Sequence, residues 1–326
     1  MKNRSAKNQT LYSRKELQNM ELLKIENLTK KIKKKTIVDN ISLTVNSGEI
    51  VGFLGPNGAG KTTTIKAAMG LFTITGGSIS ICGHDVKTDF ENAIRNVGAI
   101  VENPNLYKGL TGRQNLEYFA KFYGKEALDN IDSVVELVKM KERINDKIKT
   151  YSLGMRQRVG LAQAMVHMPS LLILDEPTNG LDPIGIKEMR DLLKHLAKNS
   201  GVGIFISSHL LSEMELMCDR IYIIDNGVII GEKTIGEEEN EAEDTVYQYT
   251  FVTDRNQEVF DLFREMNINC EMLPEGVNIV MANEKVPSLV RMLVEKEILI
   301  FAVNRQHRSL EQDFISMTVG SKEQIS

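Results

Sequence analysis

The stretch Gly55-Pro56-Asn57-Gly58-Ala59-Gly60-Lys61-Thr62 fits G-x-x-x-x-G-K-[ST], and the reading of the fold starts from its two flanks. Before it, Glu49-Ile50-Val51-Gly52-Phe53-Leu54 is a short apolar run of the kind that forms a buried strand. After it, Thr63 to Met69 reads as a helix. A glycine-rich turn between a strand and a helix lets successive backbone N–H groups point at phosphate oxygens, at the positive end of the helix. Lys61 adds a point charge for β- and γ-phosphates, and the Thr62 hydroxyl is suited to Mg²⁺.

Working outward, Val97 to Val101, Leu171 to Leu174 and Val202 to Ile206 are further short, branched apolar runs, typical of a sheet covered on both faces. Thr111 to Ile148 reads as helices without a strand signal, and Asp225-Asn226-Gly227 marks a hairpin between Ile221–Ile224 and Val228–Ile230. The run Leu171-Leu172-Ile173-Leu174-Asp175-Glu176-Pro177 ends in two adjacent carboxylates. Asp175, at the strand end, is expected to hold Mg²⁺ through water, and Glu176 to orient or deprotonate an attacking water. Tyr151-Ser152-Leu153-Gly154-Met155-Arg156-Gln157-Arg158 opens an apolar-periodic helix. Ser152 is a good N-cap and Gly154 leaves backbone N–H groups bare, which makes a second anion site. Gly180-Leu181-Asp182 follows the carboxylates, and His209 closes the strand Ile204-Phe205-Ile206-Ser207-Ser208.

Composition limits what such a site can serve. The 326 residues carry 42% apolar and 26% charged side chains, enough for a core, with net charge −4 and so no global bias towards nucleic acid. No stretch is apolar and long enough to span a bilayer. Cys82, Cys218 and Cys270 stand singly, which fits a reducing compartment and neither a disulfide nor a zinc framework. Charge is uneven: eleven Lys/Arg against three acids through Lys35, ending in Lys30-Lys31-Ile32-Lys33-Lys34-Lys35. That run reads as a solvated hairpin rim or as a lipid-facing patch. Six acids in the eight residues Glu237 to Asp244 read as an exposed linker at a domain boundary.

These five motifs, in this order and spacing from about Leu22 to Thr234, resemble the ATP-binding subunit of an ABC transporter. Within that family the chain is similar to ATPases of bacitracin- and lantibiotic-type exporters. The diverged signature Tyr151-Ser152-Leu153-Gly154-Met155 and the segment Val97-Gly98-Ala99-Ile100-Val101-Glu102-Asn103-Pro104 carry this likeness. The resemblance implies an α/β, P-loop NTPase fold of the ABC ATPase type over 22–236, with a helical subdomain at about 90–150. It implies ATP and Mg²⁺ as ligands, with Gly55 to Thr63, Glu102, Ser152, Gly154 and Asp182 binding ATP. Thr62 and Asp175 would hold the metal, and Glu176 and His209 would be catalytic. Two copies would close head to tail, with Asp182 reaching across, and the helical subdomain would dock on a separate membrane permease. The expected place is the inner face of the cell membrane, and no nucleic acid is expected. The alternative is a soluble ABC ATPase acting as a clamp or sensor. Translation-type members carry two P-loops, and chromosome-type members a long coiled coil between the P-loop and Asp175. Only 114 positions separate Lys61 from Asp175 here, without heptads.

Two positions depart from the family pattern. The aromatic residue that commonly stacks on adenine aligns with Ile32, and Glu102 stands where Gln is usual. Beyond the acidic linker, 237–245, the order strand, helix, two strands, helix, strand from Tyr247 to Val303 suggests a small α+β, ferredoxin-like domain. A last helix is expected at Leu310 to Met317. This domain, 246–326, has no grouping of acids, His and Cys that suggests catalysis, and is read as dimer support, packing or sensing. The family's usual opening corresponds to Met20 onward, so residues 1–19 are read as an extension before the expected start.

Overall fold

The computed structural model of the chain describes residues 20–235 and 246–306. The chain forms two compact units, Met1–Ile235 and Gly236–Ser326. The acidic run, the extension before Met20 and the expected helix at Leu310 to Met317 lie outside the described residues.

In the first unit β1 (Glu21–Ile32) and β2 (Lys35–Asn46) form a long hairpin, followed by β3 (Ile50–Leu54) and α1 (Lys61–Ala68). Then come β4 (Gly76–Ile81), β5 (His84–Asp85), α2 (Phe90–Arg95) and β6 (Val97–Ile100). The helical stretch holds α3 (Gly112–Tyr123), α4 (Lys125–Asp129), α5 (Ile131–Leu137) and α6 (Leu153–Met165). After it run β7 (Leu171–Asp175), α7 (Pro183–Ser200), β8 (Gly203–Ser208), α8 (Leu211–Met217), β9 (Arg220–Asp225) and β10 (Val228–Thr234).

Two sheets result. One is antiparallel in the order β2-β1-β4-β5; the other has the order β10-β9-β3-β8-β7-β6 and is parallel except for β10. Every residue of β3, β7 and β8 is buried, as their unbroken apolar runs require of a sheet covered on both faces. Phe53 and Phe205 pack at 5.5 Å between ring centroids across the β3–β8 pair. The parallel arrangement brings the C-terminal ends of β3, β7 and β8 to one edge, where ligands of open α/β sheets bind.

One segment differs from the sequence reading. Strand β4 was not legible, because it opens on Gly76-Gly77, although Ile79 and Ile81 pair with Ile25 and Leu23. The strand expected at Val97 to Val101 is β6, a full member of the larger sheet, and the helices expected from Thr111 begin at Gly112. Thr111 starts that helix with a capping box to Gln114. The basic run falls at the hairpin tip, with Ile32 paired to Lys35 and Lys33 at φ 54°, so its side chains are solvated.

His167, after α6, stacks on Tyr123 at 4.0 Å, and its Nε2–H donates to the Val97 carbonyl at 3.1 Å. Nδ1 is buried without a partner among the described residues, so a second proton there would have no acceptor. Burial accordingly holds its pKa below the usual 6.5. The unfolded chain takes up this proton as pH falls through about 6.5 while the folded chain does not, so stability is lost across that window. The melting temperature is expected to fall between pH 7.5 and 5.5, and to fall less in His167→Gln; equal slopes would refute the assignment.

The second unit is built of β11 (Val246–Thr253), α9 (Asn256–Glu265), β12 (Cys270–Leu273), β13 (Gly276–Ala282), α10 (Val286–Glu295) and β14 (Ile300–Gln306). Its sheet order β12-β13-β11-β14 is antiparallel throughout, the ferredoxin-like arrangement expected from the element order. Phe251 and Phe263 meet edge to face at 5.3 Å within a core that includes Val259, Val277, Ile279 and Leu293.

Candidate functional site

The loop after β3 is glycine-dependent at its two ends. A Cβ on Gly55 would lie 2.2 Å from the Ile224 carbonyl oxygen, and Gly60 has φ 113°, outside the range of other residues. Between them Pro56, Asn57 and Gly58 form an exposed rim, while Ala59 and Gly60 are buried. A Cβ at Gly58 would meet nothing within 4 Å, so the rim is open at this residue. Lys61, 6% exposed, folds back into the loop. Its ammonium donates to the carbonyls of Gly55 at 2.7 Å and Pro56 at 3.3 Å, and stands 3.3 Å from Glu176 Oε1. Thr62 and Thr63 follow on the half-buried side of the first helical turn.

Asp175 closes β7 at 2% exposure, and a carboxylate so buried needs donors. It has two: the Thr62 hydroxyl at 2.9 Å to Oδ2 and the Ser207 hydroxyl at 2.6 Å to Oδ1. Ser207 pairs with Asp175 across the β7–β8 ladder, so one hydroxyl reaches both carboxylate-bearing residues. It accepts from the Glu176 backbone N–H at 3.1 Å, which is shared with the Ser207 carbonyl at 3.2 Å. Glu176 takes φ 50° and so leaves the strand direction sharply. Its Oε1 stands by Lys61, and its Oε2 accepts from His209 Nδ1 at 2.8 Å. A carboxylate only accepts, so Nδ1 carries the hydrogen of this bond. Lys61, Thr62, Asp175, Glu176 and His209, expected together from sequence, are therefore linked in one chain of contacts. Ser207 belongs to it and was missed; its signal was a pair of hydroxyls ending a wholly apolar strand directly before His209.

The remaining expected residues lie elsewhere. Ser152 caps α6 by accepting from Met155 N–H at 3.3 Å, and Asp182 caps α7 by accepting from Gly185 N–H at 2.8 Å. Gly154 faces Leu181, so these two helix starts lie side by side. Among the described residues neither Ser152 nor Asp182 hydrogen-bonds to the P-loop. Glu102, at φ 66°, is 63% exposed in its side chain and pairs with Lys66 at 2.7 Å.

The donor chemistry fits a shared cation. Thr62 Oγ1 and Asp175 Oδ2 are hard oxygen donors side by side at a phosphate cradle. No group of three or more His, Cys, Asp or Glu among the described residues would hold a metal by itself. That pattern suits Mg²⁺, which takes one or two protein oxygens and completes its shell with phosphates and water.

Comparison with known proteins agrees with this geometry. The family model for the ABC transporter matches residues 38–179. The uncharacterized ABC transporter ATP-binding protein YhcH of Bacillus subtilis (strain 168) is 47% identical over 93% of this chain and 98% of its own length. The bacitracin transport ATP-binding protein BcrA of Bacillus licheniformis is 39% identical over 92% and 98%. A solved ATP-binding subunit of an ABC transporter, 32% identical, covers 65% of this chain and 90% of its own, with a TM-score of 0.59. With a P-loop, an acidic pair and a strand-end histidine joined on one sheet edge, the chain belongs to the ATP-binding proteins of the ABC transporter family.

Proposed function

We propose that this ABC ATPase subunit powers export of a peptide antibiotic or similar drug through a separate membrane permease, using Mg²⁺-ATP. The observation that carries the catalytic part is the contact chain Lys61–Glu176–His209, set beside Thr62–Asp175. In this reading the P-loop amides and Lys61 bind the β- and γ-phosphates. Thr62 and Asp175 hold Mg²⁺, which when bound withdraws charge from those phosphates. Glu176 accepts the proton of the attacking water, and His209 orients Glu176 through Nδ1 while offering Nε2 outward. Ser152, Gly154 and Asp182, absent from this cluster, serve a second copy: ATP is sandwiched between the P-loop of one and the α6 start of the other.

The export reading is supported by BcrA, whose similarity over 92% of the chain extends beyond the 216 residues 20–235 into the second unit. No helix among the described residues is long and apolar enough to cross a membrane, so a permease must be supplied. Its docking face is the aromatic patch on and before α3. Tyr107, Tyr118 and Phe122 are 50%, 43% and 73% exposed, and Tyr118 meets the other two edge to face at 5.2 and 5.6 Å. Such a contiguous exposed patch marks an interaction surface. Tyr118→Asp/Phe122→Asp is expected to leave ATP binding intact and to abolish co-purification with the permease and recovery with membranes. Retained assembly would refute this face. Export itself is tested by expressing the chain with its permease in sensitive cells: resistance to bacitracin-like peptides is expected, and unchanged sensitivity would overturn the substrate class.

Adenine selectivity is expected to be weak. Ile32 is 44% exposed at the β1 end and offers an aliphatic surface where an aromatic ring would contribute roughly 1–3 kcal/mol of base stacking. Ile32→Tyr should tighten ATP more than GTP; equal effects on both nucleotides would sink this reading.

A further inference from the structure

Glu102 adds a negative charge where the general family pattern carries Gln, and a cation from another element meets it. Ile100 pairs with Leu174 in the β6–β7 ladder, and Glu102 follows two residues beyond β6, at the sheet edge from which Glu176 also leaves β7. Lys66 lies on α1, one helical turn beyond Thr62 and on the same face. Its ammonium meets Glu102 Oε1 at 2.7 Å and lies 5.7 Å from the centre of the Phe72 ring, whose face Lys30 also approaches at 5.5 Å. The pair thus bridges the P-loop helix and the loop after β6.

We propose that Lys66 is a positioning residue that neutralises Glu102 and so makes a carboxylate at this place compatible with a bound triphosphate. The proposal rests on the ATP-site reading above. Stability is not its reason, since an ion pair this exposed adds little to folding. Its effect lies in the site: with Lys66 removed, Glu102 presents an uncompensated charge beside the helix that carries Thr62, a repulsion of a bound triphosphate expected to be on the order of fivefold in affinity. It follows that removing the Glu102 charge as well should undo the effect of removing Lys66.

The test uses the full chain and steady-state hydrolysis of Mg²⁺-ATP. Lys66→Met is expected to raise KM on the order of fivefold with kcat within about twofold, an effect that shrinks as KCl is raised. Lys66→Arg should keep the original KM. Adding Glu102→Gln to Lys66→Met should return KM to near its original value. A double variant whose KM stays as high as that of Lys66→Met, or no increase in Lys66→Met itself, overturns the proposal. If Lys66→Met does not fold, Lys66→Gln is judged by the same pair of comparisons, with thermal melting as the control. A wild-type chain that neither binds nor hydrolyses ATP would overturn the ATP-site reading and this proposal together, whereas normal wild-type turnover with no KM recovery in the double variant overturns this proposal alone.

Discussion

Glu176→Gln is expected to lower ATP turnover by on the order of 10²–10⁴ while leaving nucleotide binding in place. The amide is nearly the same size and its oxygen still accepts from His209 Nδ1, so the loop that turns at φ 50° has no steric reason to move. What is lost is the capacity to take a proton, and with it the negative charge that stands 3.3 Å from Lys61. Removing that charge leaves Lys61 with its carbonyl partners alone, so ATP affinity should hold or rise. Turnover and equilibrium nucleotide binding, measured on the same preparation, check the two halves separately. Glu102→Gln is the control, since its carboxylate is solvent-exposed and paired with Lys66, and it should retain measurable ATPase. Comparable losses in both variants would remove the assignment of Glu176 as the base.

Ser207→Ala is the second large effect. Ser207 is fully buried, donates to Asp175 and accepts from the Glu176 backbone N–H. Alanine leaves one Asp175 oxygen buried without its donor, and the Glu176 N–H with the Ser207 carbonyl alone. Leaving a buried polar group unsatisfied costs about 1–3 kcal/mol, more when it is charged. Part of that should appear as a lower melting temperature and part as misplacement of the Mg²⁺ oxygen. Turnover is expected to fall roughly tenfold to a hundredfold, with a higher Mg²⁺ concentration needed for half-maximal rate. Ser207→Thr retains the hydroxyl and should recover most of the Mg²⁺ dependence. Wild-type Mg²⁺ dependence in Ser207→Ala would show that Thr62 alone fixes Asp175.

Much of this site could be read in advance, because its parts are sequence-local: a glycine loop, a strand ending in Asp-Glu, a histidine closing another strand. Their convergence was legible too, since parallel strands deliver their C-terminal ends to one edge. Ser207 was not, because its role depends on register between β7 and β8, and one serine at a strand end has many bland uses. The Lys66–Glu102 pair was hidden for the same reason: nothing in the sequence aligns a helix lysine with a loop acid thirty-six positions away. In the fold, β4 was lost to its opening glycines, whereas the βαββαβ order of the second unit could be followed strand by strand from its apolar runs and two amphipathic helices.

Lys61 is not waiting as a bare cation. It already holds two carbonyls and faces a carboxylate, so occupancy of the site is an exchange of partners rather than the filling of a void. Part of what a phosphate gains at this lysine is therefore offset by the contacts it displaces, and the loop amides and the neighbouring hydroxyl must supply the remainder.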